Sequence, residues 1–125
     1  MRAQTGDIKQ FEDLATHDMR RHFPRFQPEY LDENLKLCKA VEVIAKRNNV
    51  TLAQVALGWI RRMSKRNGLP EIIPIPGSTG EARVLENSQD VRLTEEDMKD
   101  LDIILSKFEV KGDRYGGHGA KFMNG

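Results

Sequence analysis

The stretch "EIIPIPGSTGEARVLEN", residues 71–87, constrains this chain more than any other. Ile72, Ile73 and Ile75 give it the β-branched, apolar character of a buried strand. Pro74 and Pro76 each lack a backbone donor, which a strand tolerates at an edge or in a special register. No other segment reads as convincingly as a strand. A lone strand cannot satisfy its own backbone, and even a pair is marginal in water. The one clear strand, over 72–76, therefore expects neighbours. Either a second strand hides in residues 1–27, or the chain is part of something larger.

The rest of the pattern is helical. Residues 1–27 carry no sustained period and read as loop-rich, with one short helical turn near 10–14. The spacing predicts a first helix over 28–48, opened by Pro28, whose missing N–H costs nothing there. Leu31, Leu35, Cys38, Val41 and Ala45 recur at steps of three and four, and Leu37 and Ile44 widen the stripe. Thr51 and Gln54 have capping-box spacing and open a second helix with Leu52, Val55, Ala56, Trp59, Ile60 and Met63 on its apolar face. Asn67, Gly68 and Pro70 end it. A short helix covers 81–88. Thr94 caps a last one, with Glu95, Glu96 and Asp97 suited to its N-terminus and Met98, Leu101, Leu105 and Phe108 as its stripe. The end, 111–125, is glycine-rich and reads as a tail. Partial disorder is expected before Pro28 and after Lys111.

Composition narrows the class. The chain has 125 residues, enough for one domain, with 38% hydrophobic and 31% charged residues. Lys and Arg number 20 against 19 acids, so bulk charge gives no argument for a nucleic-acid or membrane partner. Cys38 is the only cysteine, which excludes an internal disulfide framework. No apolar run approaches the roughly 18 residues of a spanning helix, and the first ten residues lack a signal-type apolar core. The expected location is cytoplasmic.

The loop and helix beyond the strand carry the chemistry. A strand, a small-residue loop and a helix N-terminus together make an anion site, because unpaired N–H groups and the helix dipole both favour negative charge there. Gly77 and Gly80 let a ligand approach the backbone closely, and Ser78 and Thr79 add hydroxyls. Arg83, Glu86 and Asn87 fall at i, i+3 and i+4 of the short helix, on one face. A guanidinium clamps phosphate with two donors. A carboxylate and an amide beside it can read an exocyclic amine and ring nitrogens, so the set suits an adenosine phosphate. An ordinary structural reading stands beside this one, with "PGST" as a turn plus cap and Arg83–Glu86 as a surface ion pair.

"IPIPGST" at 73–79, with Arg83 and Glu86–Asn87 behind it, resembles the cofactor segment of the aldo-keto reductase superfamily. "TLAQVALGWI" at 51–60 resembles the helix before that family's eighth barrel strand. "RRHFPRFQPEYLDENLKL" at 20–37 and "KGDRY" at 111–115 are similar to its fungal and plant pyridoxal-reductase-like branch. The resemblance runs from about Thr5 to Arg114. It implies an α/β fold, the C-terminal part of a (β/α)8 barrel, with 72–76 as the last strand. It implies a partial NADP(H) site in which Gly77, Ser78, Thr79, Gly80 and Arg83 hold the 2′-phosphate and ribose while Glu86 and Asn87 face the adenine. Ligands of such barrels lie at the C-terminal ends of the strands.

Three departures matter. Many relatives of this branch carry a lysine at the position of Gly80, and its absence should weaken the preference for NADPH over NADH. The tail is shorter and richer in glycine than usual. A barrel of this type needs about 250 residues, and the family's catalytic Asp, Tyr, Lys and His lie in a half with no counterpart here. No catalytic role is assigned to any residue, and Tyr30 and Tyr115 match non-catalytic positions. Activity of this chain alone is not expected.

Other clusters have plainer readings. His17 and His22 near Asp13 and Asp18 lack the ligand geometry of a metal site. "RRMSKR" at 61–66 suits the negative end of a helix, and "RRHFPRF" at 20–26 only superficially resembles a base-stacking surface. His118 reads as solvated. Two function classes remain. One is the cofactor-binding part of an NADP(H)-dependent oxidoreductase, with a complementary half-barrel as partner. The other is a catalytically dead helical module for interaction or self-association, using the strand and inner helix faces.

Overall fold

The computed structural model describes residues 7–116. Among them are four α-helices: α1, Pro28–Arg47; α2, Leu52–Met63; α3, Glu81–Ser88; and α4, Glu95–Lys107. Single 3₁₀ turns occupy Phe11–Asp13, Met19–His22, Pro24–Phe26 and Arg66–Gly68. The chain divides into two units, residues 1–39 with 105–125, and residues 40–104.

The strand expected over 72–76 does not form. Among the described residues there is no strand, and 71–78 run as irregular chain. The physical reason is the one that made the segment conspicuous. Pro74 and Pro76 withhold donors, and no described segment offers a ladder to pair with. Ile73 and Ile75 are consequently 78% and 92% exposed.

The helices match the sequence pattern closely. Thr51 and Gln54 form the capping box of α2: the Gln54 N–H donates to the Thr51 hydroxyl at 3.2 Å and the Thr51 N–H to Gln54 Oε1 at 3.0 Å. Thr94 and Asp97 do the same for α4, with the Asp97 N–H donating to the Thr94 hydroxyl at 3.1 Å. α2 stops at Met63, earlier than expected. Lys65 (φ 62°) and Asn67 (φ 51°) adopt left-handed backbone that a helix cannot contain.

In the first unit Ile8, Leu14, Leu31 and Leu35 form a buried cluster, with Phe11, Phe26 and Cys38 against it. Residues 7–27 thus pack against α1 through this cluster. Two bases of "RRHFPRF", Arg20 and Arg21, are spent on local structure. Asp18 is buried and takes a bidentate bond from Arg20, with Nη2 to Oδ2 at 2.6 Å. Arg21 donates to the Leu14 carbonyl at 2.6 Å and lies over the Phe11 ring at 4.3 Å. Asn34 joins distant segments: its amide donates to the carbonyls of Arg25 and Lys111, both at 2.9 Å, and its oxygen accepts from the Lys111 N–H at 2.8 Å. The tail residues 117–125, His118 among them, lie outside the described residues.

In the second unit Ile44, Ala45, Val55, Leu93, Met98 and Leu101 are buried together, lined by Val41, Val50, Leu52, Trp59, Met63, Val91 and Ile104. α2 buries a second face, which periodicity alone does not show. Gln54, Leu57 and Gly58 are buried while Ala56, expected in the core, is exposed. A Cβ on Gly58 would stand 2.9 Å from the Val91 carbonyl oxygen, so this close approach of backbone needs glycine. Arg47 ends α1 with a fan of bonds to the first two turns of α4. It donates to Asp97 through Nε at 3.0 Å and through Nη2, and to Asp100 at 2.9 Å.

Candidate functional site

The candidate site is the loop 77–80 and α3, all within the second unit. Gly77, Ser78, Thr79 and Gly80 are exposed. A Cβ at Gly77 or Gly80 would meet nothing within 4 Å, and Gly80 is extended (φ −158°). Neither position needs glycine for its own backbone. What both leave is open space in front of the main chain.

The Ser78 hydroxyl is folded into the turn. It donates to the Gly80 carbonyl at 2.9 Å and accepts from the Gly80 N–H at 3.4 Å. Past it, α3 starts at Glu81 with no side-chain cap. The N–H groups of Arg83 and Val84 both donate to the Gly80 carbonyl, each at 3.2 Å. Those of Glu81 and Ala82 have no acceptor among the described residues. α2 and α4, by contrast, have their first turns closed by Thr51 and Thr94. The first-turn carboxylate of Glu81 suits the helix dipole but opposes an incoming anion.

Arg83 lies in the first turn and is half-buried, and its guanidinium has no ion-pair partner among the described residues. The Arg83–Glu86 surface pair of the plainer reading is not formed. Glu86 instead accepts from the Thr51 hydroxyl at 2.6 Å through Oε1. Asn87 is 9% exposed, and its carbonyl accepts from Arg61 at 3.2 Å. The structure thus separates the expected set. Gly77, Ser78, Thr79 and Gly80 are exposed and Arg83 has no ion-pair partner among the described residues, while Glu86 and Asn87 share their backbone or side-chain groups with α2.

The residues holding α3 are not evident from sequence. Gln54, buried, donates to the Glu86 carbonyl at 3.2 Å and to Gln89 Oε1 at 2.7 Å. Arg61 donates to the Gln89 carbonyl at 2.8 Å, a cation on the last carbonyls of α3. The other members of "RRMSKR" are paired as well: Arg62 with Glu95, Lys65 with Glu71 at 3.1 Å and Arg66 with Asp102 at 3.5 Å. The signal that the sequence offers is Gln54 itself, the single polar side chain among the apolar residues and glycine of 52–60.

Cys38 has its thiol pKa raised by burial, the condition of a packing thiol rather than a nucleophile. Among the described residues no group of three or more His, Cys, Asp or Glu could hold a metal ion. No described helix is long and apolar enough to cross a membrane.

NADP(H) fits the residues present on two counts. The first turn of α3 is uncapped, and the unpaired Arg83 lies within that same turn of helix from the loop; a phosphate accepts from both kinds of donor.

Known proteins place the chain. The family model described as Aldo/keto reductase family matches residues 2–106. An "Aldo-keto reductase" of Gibberella moniliformis is 38% identical over 106 residues, 83% of this chain and 30% of that protein. A Saccharomyces cerevisiae protein named "Putative pyridoxal reductase" is 36% identical over 123 residues, 89% of this chain and 35% of that protein. A Glycine max protein, "Probable aldo-keto reductase 1", is 31% identical over 106 residues, covering 83% and 29%. The chain spans about a third of the length of these curated relatives. No solved structure matches it at comparable significance. The match of the family model to most of the sequence, with several relatives above 30% identity, makes this chain a member of the aldo/keto reductase family.

Proposed function

We propose that residues 77–87 grip the adenosine 2′-phosphate end of NADP(H) in an oxidoreductase that interconverts carbonyls and alcohols. The observation that carries this reading is the open first turn of α3, with the guanidinium of Arg83, without an ion-pair partner among the described residues, in that same turn. Ser78, Thr79 and the N–H groups of Glu81 and Ala82 would bond the phosphate and ribose, and Arg83 would neutralise charge. Glu86 and Asn87 would face the base. The cofactor supplies the hydride; these residues supply binding and orientation. The family's catalytic positions have no match among these residues, so the proposal is confined to cofactor binding.

A thermal melt with and without millimolar NADPH tests it, because a ligand of the folded state raises its stability. NADPH is expected to raise the midpoint, NADH less so, and Arg83→Ala to erase the difference between them. A midpoint indifferent to both nucleotides would refute the reading.

A second reading has its own observation. Ile73 and Ile75, with Val84 and Leu85 of α3, are more than half exposed, the condition of a segment that lacks its cover. We propose that 72–76 is the position of the last barrel strand and is covered by a complementary half-barrel or by a second copy. Sedimentation velocity over a concentration series checks this: a monomer at every concentration, unaltered by nucleotide, would count against the second copy.

A further inference from the structure

The capping box of α2 does more than cap α2. A capping box is complete once Thr51 and Gln54 have bonded each other's backbone N–H groups. Here each side chain also donates to Glu86. The Thr51 hydroxyl donates to Glu86 Oε1 at 2.6 Å, and Gln54 Nε2 donates to the Glu86 carbonyl at 3.2 Å. Gln54 is 6% exposed and fully used, since its second amide hydrogen goes to Gln89 Oε1 at 2.7 Å. Glu86 is held by its side chain and by its backbone at once. Its other carboxylate oxygen, Oε2, has no partner among the described residues, and the residue is only half-buried.

A carboxylate so held offers one oriented acceptor and no donor. It suits an N–H donor and repels a carbonyl oxygen. We propose that the Thr51–Gln54 capping box is a positioning device for base recognition, fixing Glu86 so that Oε2 is kept for the exocyclic amine of adenine. Preference for a 6-amino over a 6-oxo purine would then depend on Thr51, a residue that touches no ligand. The inference rests on the reading that this segment binds NADP(H).

The test titrates the purified 125-residue chain with NADPH and with its deaminated analogue, in which hypoxanthine replaces adenine. The unsubstituted chain is expected to bind NADPH about tenfold or more tightly than the analogue, the scale of one charge-assisted hydrogen bond. Thr51→Val, which keeps the shape and loses the hydroxyl, should bring the two affinities within about twofold of each other. Thr51→Ser should restore the preference. Thr51→Asp still caps a helix but cannot donate to Glu86, so it too should lose the preference. It separates this role from capping even if the valine variant folds poorly. Equal weakening of both ligands in Thr51→Val and Thr51→Asp, with the ratio intact, would overturn the inference and leave Thr51 as a cap alone. An unsubstituted chain that binds both ligands equally would overturn it as well. Absence of any NADPH binding would overturn the cofactor reading and this inference together; a ratio indifferent to Thr51 overturns this inference only.

Discussion

Gly112 carries the most demanding backbone in the first unit. Its φ of +78° is the left-handed region that side chains rarely adopt, and an added Cβ would stand 2.8 Å from the backbone of Arg25 and 2.9 Å from the Tyr30 ring. Backbone cannot yield as a flexible side-chain tip can. Gly112→Ala is therefore expected to cost about 1–3 kcal/mol, read as a lowered denaturation midpoint. Gly77→Ala, where a Cβ meets nothing, should stay within about 0.5 kcal/mol. The contrast is hidden in sequence. Both glycines are followed by a polar residue, and only the chain returning past Arg25 distinguishes them. The same holds for Asn34, whose bonds to Lys111 span 77 positions that no local pattern reports.

Between helices, the decisive group is Asp97. Burial works against its charge, but the Thr94 N–H, the Arg47 guanidinium, the Thr94 hydroxyl and the Asn48 amide outweigh it and hold the carboxyl at about 2, below its ordinary 3.8. A folded pKa below the unfolded one stabilises above the unfolded value and is lost as pH falls through the folded one. The shift corresponds to about 2 kcal/mol at neutral pH, fading between about pH 4 and 2. Asp97→Asn is expected to lose that amount at pH 7, and its stability should fall less steeply over that acid range. Parallel loss in both proteins would assign the acid sensitivity elsewhere. The sequence announces half of this device. Thr94 ahead of a run of acids marks a helix start, and α2 and α4 begin where Thr51 and Thr94 indicate. The Arg47 side of the cluster lies 50 positions away and has no local signature. Periodicity misplaces one face of α2 for a related reason: its buried Gln54 is polar, so a hydrophobic count puts it outside.

For the whole chain, family membership is legible because several short blocks occur in order, and they fix a lineage even where they do not fix a conformation. The (β/α)8 barrel of the family contains strands; the described residues contain none. Pro-rich apolar chain becomes a strand only when a ladder lies beside it, and that information is not local. The exposed isoleucines are the remainder of this mismatch. If they are a contact surface, Ile73→Lys with Ile75→Lys should abolish concentration-dependent sedimentation while leaving the melting midpoint unchanged. Both side chains are already in water in the isolated chain, so folding loses nothing by the exchange.

The staple at Asn34 also orders events in time. Its partners, Lys111 and, through the Arg25 amide, Asp113, lie beyond the whole of the second unit, which is one continuous stretch from 40 to 104. On a ribosome, residues 40–104 can emerge complete before Lys111 exists. The Asn34 staple of the first unit cannot close until Lys111 and Asp113 are made. The unit's apolar cluster, Ile8, Leu14, Leu31 and Leu35 with Phe11, Phe26 and Cys38, lies wholly in the early segment, so only the staple waits for Lys111, and a second unit that has already condensed shortens the loop that closure must span.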